Sequence, residues 1–547
     1  MATLLGVAAY GIYLTRGPRS LSGYLRGQAP SSWLTIGLSV MATQASAITF
    51  LSTPGQGFAG GLSFVQNYFG QPFALLVVAA VFLPLFRRLN VYTAYEYLGQ
   101  RFDRKTRLLA AGAFLLQRGV GAGLTVYAPA IVLSAVFGWR LDVTILASGL
   151  VVIAYTAVGG FDAVSITQKY QMGIIFLGMG AAFAIAAAKV VHQIGSPDAW
   201  AVAGAMDRLN AVDFSLDYHR RYTVWSGLIG GFFLSLAYFG TDQSQVQRYI
   251  GSGSVASAKL GLIFNAVVKV PMQLLILALG VIIFVFYQFA PAPVVFNETA
   301  WRQVPTSAAR AIEADYRAAR AAERRATEDW LASRRLPSSE PKATDELERA
   351  AASAHAQVEK VRARASAELR AAVPHGSSND ADYVFIHFIV DQLPHGLIGL
   401  LVAVFFAATL SSKAAELNAL GSTTTVDLYR NLIRPDASDA HYVTASKLFT
   451  VMWGGIALAF ALTFQLAENL IQAVNIVGSL FYGVILGLFL VAFFLPKVRG
   501  TAVFWAGILA EGIVLALFFG TNVGYLWFNP IGGLACVGIA ALLNAIL

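Results

Sequence analysis

The sequence predicts an all-α, polytopic membrane protein, and two observations carry this prediction. Of its 547 residues, 57% are hydrophobic and 13% are charged, whereas a soluble domain carries about 25% charged residues. The chain therefore has too little polar surface to cover a globule in water. Apolar stretches of about 18 or more residues without an internal charge recur along it, and each can cross a bilayer as a helix. The stretches are 33–53, 63–86, 170–188, 270–297, 471–495 and 513–547.

Together with weaker apolar stretches, these give thirteen predicted spans, numbered 0 to 12. Span 0 has about 14 residues, fewer than the roughly 20 that a crossing needs. It has no n-region and no cleavage-type site, so we expect a shortened helix rather than a signal peptide. The predicted bounds are 1–14, 33–58, 63–86, 106–138, 142–158, 164–190, 223–250, 257–289, 396–428, 443–466, 469–495, 500–519 and 524–547.

Basic residues in the short loops predict the orientation. They follow spans 0, 2 and 8, which are alternate loops, and short cytoplasmic loops are enriched in Lys and Arg. We therefore expect a multi-pass protein of the cell (inner) membrane, with its N-terminus outside and its C-terminus in the cytoplasm. The net charge of +9 lies mostly in these loops, so it does not indicate nucleic-acid binding. The residues are Arg16, Arg19, Arg26, Arg87, Arg88, Arg101, Arg104, Lys105, Arg107, Arg430, Arg434 and Lys447.

Residues 301–380 differ in composition from the rest. They contain 14 Lys/Arg and 12 Asp/Glu, which is 26 of the 69 charges in the chain. Opposite charges three and four residues apart, as in Arg324 and Glu328, support exposed helices, and Pro337 and Pro341 separate two such stretches. We expect a helical hairpin rather than a binding domain. It is assigned to the outer side between spans 7 and 8, so 1–300 carry spans 0 to 7 and 381–547 carry spans 8 to 12.

The residue types of enzyme active sites do not occur at membrane depth. The single cysteine, Cys536, allows neither a disulfide framework nor a cysteine metal site within one chain. A membrane enzyme normally places histidine, cysteine or paired carboxylates at depth. The seven histidines fall in loops, in the insertion or at span ends, so the sequence argues against an enzyme. They are His192, His219, His355, His375, His387, His395 and His441.

Helix breakers and charges do occur at depth. Span 1 contains Pro54-Gly55 and span 6 contains Gly240-Thr241-Asp242, and matching breaks in two halves of a chain indicate a transporter site. A channel would need a repeated filter sequence, which the chain does not show. The charges predicted at depth are Arg118, Asp242, Lys269, Lys413 and Glu416.

Six motifs in order and spacing resemble the sodium:solute symporter family. They are Ala-Thr-Gln-Ala-Ser-Ala-Ile-Thr-Phe at 42–50, Ala-Tyr-Glu-Tyr-Leu at 94–98, Tyr-Ala-Pro-Ala at 127–130, Gly-Gly-Phe-Asp-Ala-Val at 159–164, Thr-Asp-Gln-Ser-Gln-Val-Gln-Arg-Tyr at 241–249, and Ser-Ser at 411–412 followed by Asn418 and Val-Asp-Leu-Tyr at 426–429. The resemblance covers the chain outside 301–380 and is closest to the sialic-acid and sugar members. It implies the LeuT fold, in which spans 1–5 (about 33–190) and spans 6–10 (from about 223) form inverted repeats. Extra helices lie at both ends, and sodium entry drives alternating access.

A sodium site is predicted on span 8. Ala408, Ser411 and Ser412 stand at i, i+3 and i+4, so one carbonyl and two hydroxyls share a helix face. Oxygen ligands of this kind suit a hard cation. The resemblance implies that this is the main sodium site of the family and that the carbonyls of Ala42 and Ala45, beside the break in span 1, complete it.

The second sodium site of some relatives is not reproduced. The matching positions here are Gln168, Ala414 and Ala415, which lack the carboxylate and both hydroxyls. We therefore predict one sodium ion per cycle. Lys413 and Glu416 are three residues apart, and they could form an ion pair that replaces the missing charge or a plain structural pair.

Arg118 is the first candidate for substrate binding. A charge at depth is costly, and the planar guanidinium can bind a carboxylate through two hydrogen bonds. The resemblance implies this role for Arg118, together with hydroxyls at Ser46 and Thr49. The alternative is that Arg118 pairs with a protein acid such as Asp242.

Further substrate contacts come from the sugar-transporting relatives. Lys269 matches their sugar-binding lysine, Tyr238 matches the tyrosine that gates their site, and Phe239 would stack on the substrate. We expect generic polar contacts from Asn67, Gln71 and Ser235. The preferred substrate is an acidic sugar such as sialic acid or a related hydroxylated carboxylate, because the polar set of the sugar transporters on span 1 is absent. A neutral-sugar symporter and a monocarboxylate or proline symporter are the alternatives, and the protein is expected to work as a monomer.

Overall fold

The computed structural model describes residues 32–89, 91–250, 254–336, 341–372, 379–463 and 469–546. The side chains of 89, 155, 158–167, 169–170 and 411 are not described. All regular elements of the described ranges are helical. Predicted span 0 and the arginines at 16, 19 and 26 lie outside these ranges.

Spans 1 and 2 each consist of several helical pieces. Span 1 is formed by α1 (Trp33–Gln44) and α2 (Ala47–Gly60), which are joined by Ala45 and Ser46. Gly61 has a φ of 66°, which glycine adopts without strain, and the chain turns there. Span 2 follows as a 3-10 turn (Gly61–Tyr68), α3 (Gln71–Val77), a π-helical turn (Val78–Phe82) and α4 (Leu83–Leu89).

Span 3 and the predicted spans 4 and 5 form three further helices. The short α5 (Ala94–Arg101) starts with a capping box of Thr93 and Glu96. Span 3 is α6 (Arg104–Phe137), and α7 (Leu141–Ile194) covers both predicted spans 4 and 5. The next helix, α8 (Ser196–Ala205), precedes the long loop before span 6.

Helix α7 contains two apolar parts, Leu141–Ala154 and Gln171–Ile194. Gly149 packs against Leu458 and Ile153 packs against Gly454, whereas Gly178 packs against Leu401 and Lys189 bonds Gln392. The helix continues through the predicted connection between spans 4 and 5, where we expected an interruption.

The second half of the membrane body contains spans 6 to 12. Its pieces are a π-helical turn (Ser226–Gly230), α9 (Gly231–Thr241), α10 (Gln243–Ile250) and α11 (Val255–Phe289). After the insertion follow α15 (Ala381–Gln392), α16 (His395–Thr423) with a π-helical end (Thr424–Ile433), α17 (Asp439–Thr463), α18 (Leu470–Phe494), α19 (Gly500–Gly520) and α20 (Phe528–Ile546), the last preceded by a 3-10 turn (Tyr525–Trp527). The labels α12 to α14 belong to the insertion.

The described residues contain nine helices that are long and apolar enough to cross a membrane, and two shorter apolar helices. With α1 added, and with Ala47–Arg88 divided at Gly61, they account for predicted spans 1 to 12. The all-α, polytopic membrane class is confirmed.

The break in span 1 is not at Pro54-Gly55, where the helix breakers predicted it, but beside Ala45, as the family resemblance implies. Pro54 and Gly55 lie inside α2, and the helix ends instead at Ala45 and Ser46. Glycines allow α2 to pack closely on its neighbours across the proline: a side chain at Gly55 would meet the carbonyl of Ala381, and one at Gly57 would meet that of Leu277. This packing supports a continuous helix through Pro54. In span 6 the break does lie at Asp242, between α9 and α10.

The insertion forms α12 (Glu298–Trp301), α13 (Thr306–Arg335) and α14 (Pro341–Ala372). The two long helices pack on each other around a small core that includes Tyr316 and Val358. Glu323 of α13 accepts a hydrogen bond from His355 of α14 at 2.7 Å and pairs with Arg320. Burial opposes ionisation of Glu323, but His355 and Arg320 outweigh it and lower the pKa of this carboxyl.

Helix α15 lies over the junction of spans 1 and 10. The buried carboxylate of Asp382 accepts hydrogen bonds from the hydroxyl of Ser52 and, at 3.1 Å, from the backbone N–H of Leu470. Burial raises the pKa of Asp382 to about 7. This carboxyl therefore joins α15, α2 and the start of α18.

The basic loops that the sequence assigns to one side lie together. Arg104 donates to the carbonyl of Asn431 at 2.8 Å, and Lys105 donates to Thr501 at 2.9 Å. The loops after spans 2, 8 and 10 therefore share one face of the protein. The cytoplasmic assignment of that face stays a prediction.

Candidate functional site

A polar cavity of about 100 Å³ lies between the broken helices of spans 1 and 6. Spans 2, 3, 8 and 10 complete its walls, so both predicted repeats contribute to it. Its lining residues are Thr43, Gln44, Ser46, Ile48, Thr49, Asn67, Tyr68, Gln71, Arg118, Thr125, Leu234, Ser235, Tyr238, Glu416, Ile471, Val474, Asn475 and Tyr482.

The break in span 1 places two oppositely charged helix ends beside the cavity. Helix α1 ends at Gln44, and the C-terminal end of a helix carries a partial negative charge. Helix α2 begins at Ala47, and in the described part of the chain the side chain of Ser46 does not cap its N-terminus, which carries a partial positive charge. The break can therefore stabilise a cation at one end and an anion at the other.

The break in span 6 is capped by the protein itself. The carboxylate of Asp242 accepts hydrogen bonds from the backbone N–H of Ser244 at 2.9 Å and from its hydroxyl at 2.6 Å. Asp242 is 1% exposed, and its side chain lies at the N-terminus of α10. Among the described residues, the N-terminus of α10 is thus capped by Asp242, whereas that of α2 has no side-chain cap.

Arg118 forms ion pairs with two acids of the protein. Its guanidinium pairs with Asp242 and, at 3.2 Å, with Glu416. It also donates to the hydroxyl of Tyr482 at 2.8 Å and lies 5.4 Å above the ring of Tyr238. The alternative that Arg118 pairs with Asp242 is therefore present in the structure. Its Nε atom nevertheless has no hydrogen-bond partner among the described residues.

Glu416 extends this network to Lys413. Its second oxygen lies 3.1 Å from the hydroxyl of Thr125 and 3.8 Å from the ammonium of Lys413. The ammonium donates to the carbonyl of Ala122 on span 3. Arg118, Asp242, Lys413 and Glu416 thus form one buried group with two positive and two negative charges.

The structure brings most of the predicted substrate residues to the cavity but not all of them. Those that line it are Ser46, Thr49, Asn67, Gln71, Arg118, Ser235 and Tyr238.

Phe239 and Lys269 do not line the cavity. Phe239 is fully buried, with its ring 5.0 Å from that of Tyr238 and its carbonyl bonded to Tyr249. Lys269 lies behind Tyr68, with its ammonium 5.2 Å from the centre of that ring. Both residues pack against neighbouring spans and lie outside the lining of this cavity, so their contacts with substrate stay predictions.

The predicted sodium ligands lie at the break of span 1 and in the middle of α16. Ala42, Ala45 and Ala408 are buried, and the hydroxyl of Ser412 donates to the carbonyl of Ala408 at 2.9 Å. The side chain of Ser411 lies outside the described residues. Carbonyls and a hydroxyl suit sodium, so the described part of this set fits the ion.

The positions of the second sodium site have other partners. The amide of Gln168 accepts a hydrogen bond from Ser39 at 2.5 Å and lies 3.4 Å from the hydroxyl of Thr43. The carbonyl of Ala415 accepts from Gln247 at 3.3 Å. Gln168 therefore ties span 5 to span 1.

Sequence reasoning did not assign several lining residues to the cavity. Glu416 was recognised as a charge at depth, but its approach to the substrate cavity was not. Gln44 bonds Gln71 at 3.0 Å, and the amide nitrogen of Asn475 has no partner among the described residues. Polar residues inside apolar spans were the available signal, and Asn475 and Tyr482 in span 10 carry it.

Comparison with known proteins gives the family. The profile of the sodium:solute symporter family matches residues 24–310 and 363–510, which is most of the chain. Only residues 311–362 of the insertion interrupt the match.

Relatives of known function are sodium-coupled transporters. The human sodium/iodide cotransporter is 27% identical over 92% of this chain and 65% of its own length. The rabbit sodium-dependent multivitamin transporter is 27% identical over 89% of this chain and 63% of its own length. The mouse sodium-coupled monocarboxylate transporter 2 is 28% identical over 90% of this chain and 66% of its own length. The chain thus spans about two thirds of the length of these relatives.

A solved structure shares the fold. A Na+-coupled sialic acid symporter, in a substrate-bound outward-open state, matches with a TM-score of 0.75 and 23% identity. The match covers 100% of this chain and 97% of the other, and it confirms the LeuT fold. The chain belongs to the sodium:solute symporter family.

Proposed function

We propose that this protein couples the inward movement of sodium to the uptake of a small organic anion. A monocarboxylate or a small hydroxylated carboxylate fits the cavity best. The observation that carries the proposal is a set of donors around the cavity that have no side-chain partner within the described part of the chain. These are the uncapped N-terminus of α2, Nε of Arg118 and the amide nitrogen of Asn475.

Donors without partners favour a ligand that brings acceptor oxygens. A buried donor left unpaired costs about 1–3 kcal/mol, and a carboxylate can accept from several donors at once. The charges of Arg118 are already balanced by Asp242 and Glu416. A substrate carboxylate would therefore share the guanidinium with these acids and receive its remaining hydrogen bonds from Ser46, Asn475 and the end of α2.

The size of the cavity favours a small solute. A cavity of about 150 Å³ holds a molecule the size of benzene, and the cavity here is about 100 Å³. A sialic acid is considerably larger and would require the walls to move apart. The mouse relative is a monocarboxylate transporter and agrees with the smaller class.

Sodium is proposed to bind at the other end of the break in span 1. The ligands would be the carbonyls of Ala42, Ala45 and Ala408 with the hydroxyls of Ser411 and Ser412. One ion per cycle is proposed, because Gln168 and the alanines at 414 and 415 supply no second set. We also propose that the protein lies in the inner membrane with its N-terminus outside, and that each monomer transports on its own.

Uptake into proteoliposomes tests the function. Labelled lactate, pyruvate, proline, glucose, glucuronate and sialic acid are offered with an inward sodium gradient or with choline. We expect sodium-dependent uptake of the small carboxylates. Preference for glucose would overturn the anion assignment, and preference for sialic acid would overturn the size argument.

A variant pair tests the donors. Asn475→Ala removes a hydrogen bond to the substrate charge, which is worth about 1.5–3 kcal/mol, so KM should rise tenfold or more. Asn522→Ala changes an exposed asparagine of the outer loop and serves as the control. Equal KM values for both variants would exclude Asn475 from the site.

A further inference from the structure

The ammonium of Lys413 lies against a cluster of oxygen atoms on spans 3 and 8. It donates to the carbonyl of Ala122 and lies 3.8 Å from Oε2 of Glu416. The hydroxyl of Thr125 is 3.1 Å from both of these oxygens. A carbonyl, a hydroxyl and a carboxylate thus converge on one positive charge.

This oxygen set is of the kind that binds a hard monovalent or divalent cation. All four residues are buried, and Lys413 is 2% exposed. On its other side Lys413 borders a cavity of about 10 Å³ whose lining includes Val126, Leu417 and Leu458. The ammonium therefore has its oxygen partners on one side and mostly apolar groups on the other.

The charge of Lys413 is required for neutrality of the buried network. Arg118 and Lys413 balance Asp242 and Glu416 when all four are ionised. Without the ammonium, the network would carry one net negative charge away from water, which is strongly unfavourable. A free cation at the same place would restore the balance.

We propose that Lys413 is a built-in cation that occupies a cation subsite formed by Ala122, Thr125 and Glu416. The inference rests on the proposed sodium coupling and deepens it. The ammonium holds Glu416 against span 3 in the way a bound ion would, but it is not released during transport. Removal of the ammonium opens the subsite to sodium.

Sodium stoichiometry tests this inference. In proteoliposomes, the flux ratio of labelled sodium to solute should be near one for the natural protein and near two for Lys413→Ala. Lys413→Arg keeps the charge and should stay near one. Lys413→Ala/Glu416→Gln removes both charges and should gain no additional sodium ion. A ratio near one for Lys413→Ala would overturn the inference.

Binding without solute separates the inference from the proposed function. Purified Lys413→Ala should bind two labelled sodium ions where the natural protein binds one, and its melting temperature should rise more in sodium than in choline. The inference would be overturned if Lys413→Ala bound the same number of sodium ions as the natural protein, or if its melting temperature were the same in sodium and in choline. Loss of sodium-driven uptake in the natural protein would instead overturn the proposed function, and the binding count would still decide on Lys413.

Discussion

Replacement of Arg118 by glutamine should destabilise the protein through charge rather than through lost packing. The guanidinium is 4% exposed and pairs with Asp242, which is fully buried, and with Glu416. Without it, two buried carboxylates face a single cation, Lys413. Removal of one partner from a buried pair costs about 3–5 kcal/mol.

The size of the effect can be converted to a melting temperature. Unfolding entropy is about 2.1 cal/mol/K per residue, so for 547 residues each kcal/mol shifts Tm by roughly 1 °C. Arg118→Gln should therefore lower Tm by roughly 3–5 °C. Adding Asp242→Asn restores neutrality and keeps an acceptor oxygen for Ser244, so the double variant should recover most of the loss.

Thermal unfolding in detergent measures the loss of stability, and uptake assays measure substrate binding separately. Arg324→Gln removes the surface pair with Glu328, whose side chains are 56% and 50% exposed, and should change Tm by less than about 1 °C. If the double variant were as unstable as Arg118→Gln, the ion-pair reasoning would be refuted. If the double variant transported with an unchanged KM, Arg118 would have no role in substrate binding.

Three further outcomes are expected. The carboxyl of Asp382 has a pKa of about 7 in the folded protein and about 3.9 in the unfolded chain, so the free energy of unfolding should fall as pH rises from about 4 to 7. Asp382→Asn should remove this part of the decline in Tm with pH. Identical pH profiles of Tm for the variant and the natural protein would contradict this role of Asp382. In Gly55→Ala the added methyl group would overlap the carbonyl of Ala381 and lower the free energy of unfolding by about 1–3 kcal/mol, which is measured as a lower Tm. In Gly112→Ala the methyl group meets open space, and Tm should not fall. Ser412→Ala should raise the sodium concentration for half-maximal uptake, and an unchanged value would count against this ligand.

The fold was largely predictable because its signals are local. Runs of apolar residues define spans 1 to 12, and the opposite charges of residues 301–380 predict the helices that the structure contains. The break at Asp242 was also visible, since Gly240 and Asp242 are poor helix residues. The break at Ala45 was implied only by the family resemblance, because alanine and serine carry no strong helix-ending signal, and the local signal at Pro54 predicted a break that the structure does not have.

The candidate site was predictable in its parts but not in its arrangement. Polar residues within apolar spans marked Arg118, Asp242 and Glu416 as unusual, and family motifs marked Ser46 and Thr49. Helix rotation then decides which of them reach the cavity. Phe239, adjacent to Tyr238, faces away from it, and Lys269 lies behind an aromatic ring.

The sequence by itself determined that this chain is a helical membrane protein of the sodium:solute symporter family with a charged insertion. Composition, apolar length and motif order are properties of neighbouring residues and need no contacts. Only the tertiary structure decided that Arg118 pairs with Asp242 and Glu416, and that Lys413 closes the charge balance. These partners are brought together by helix packing, and a buried charge is stable only next to its counterion, so their pairing depends on geometry that local sequence does not contain.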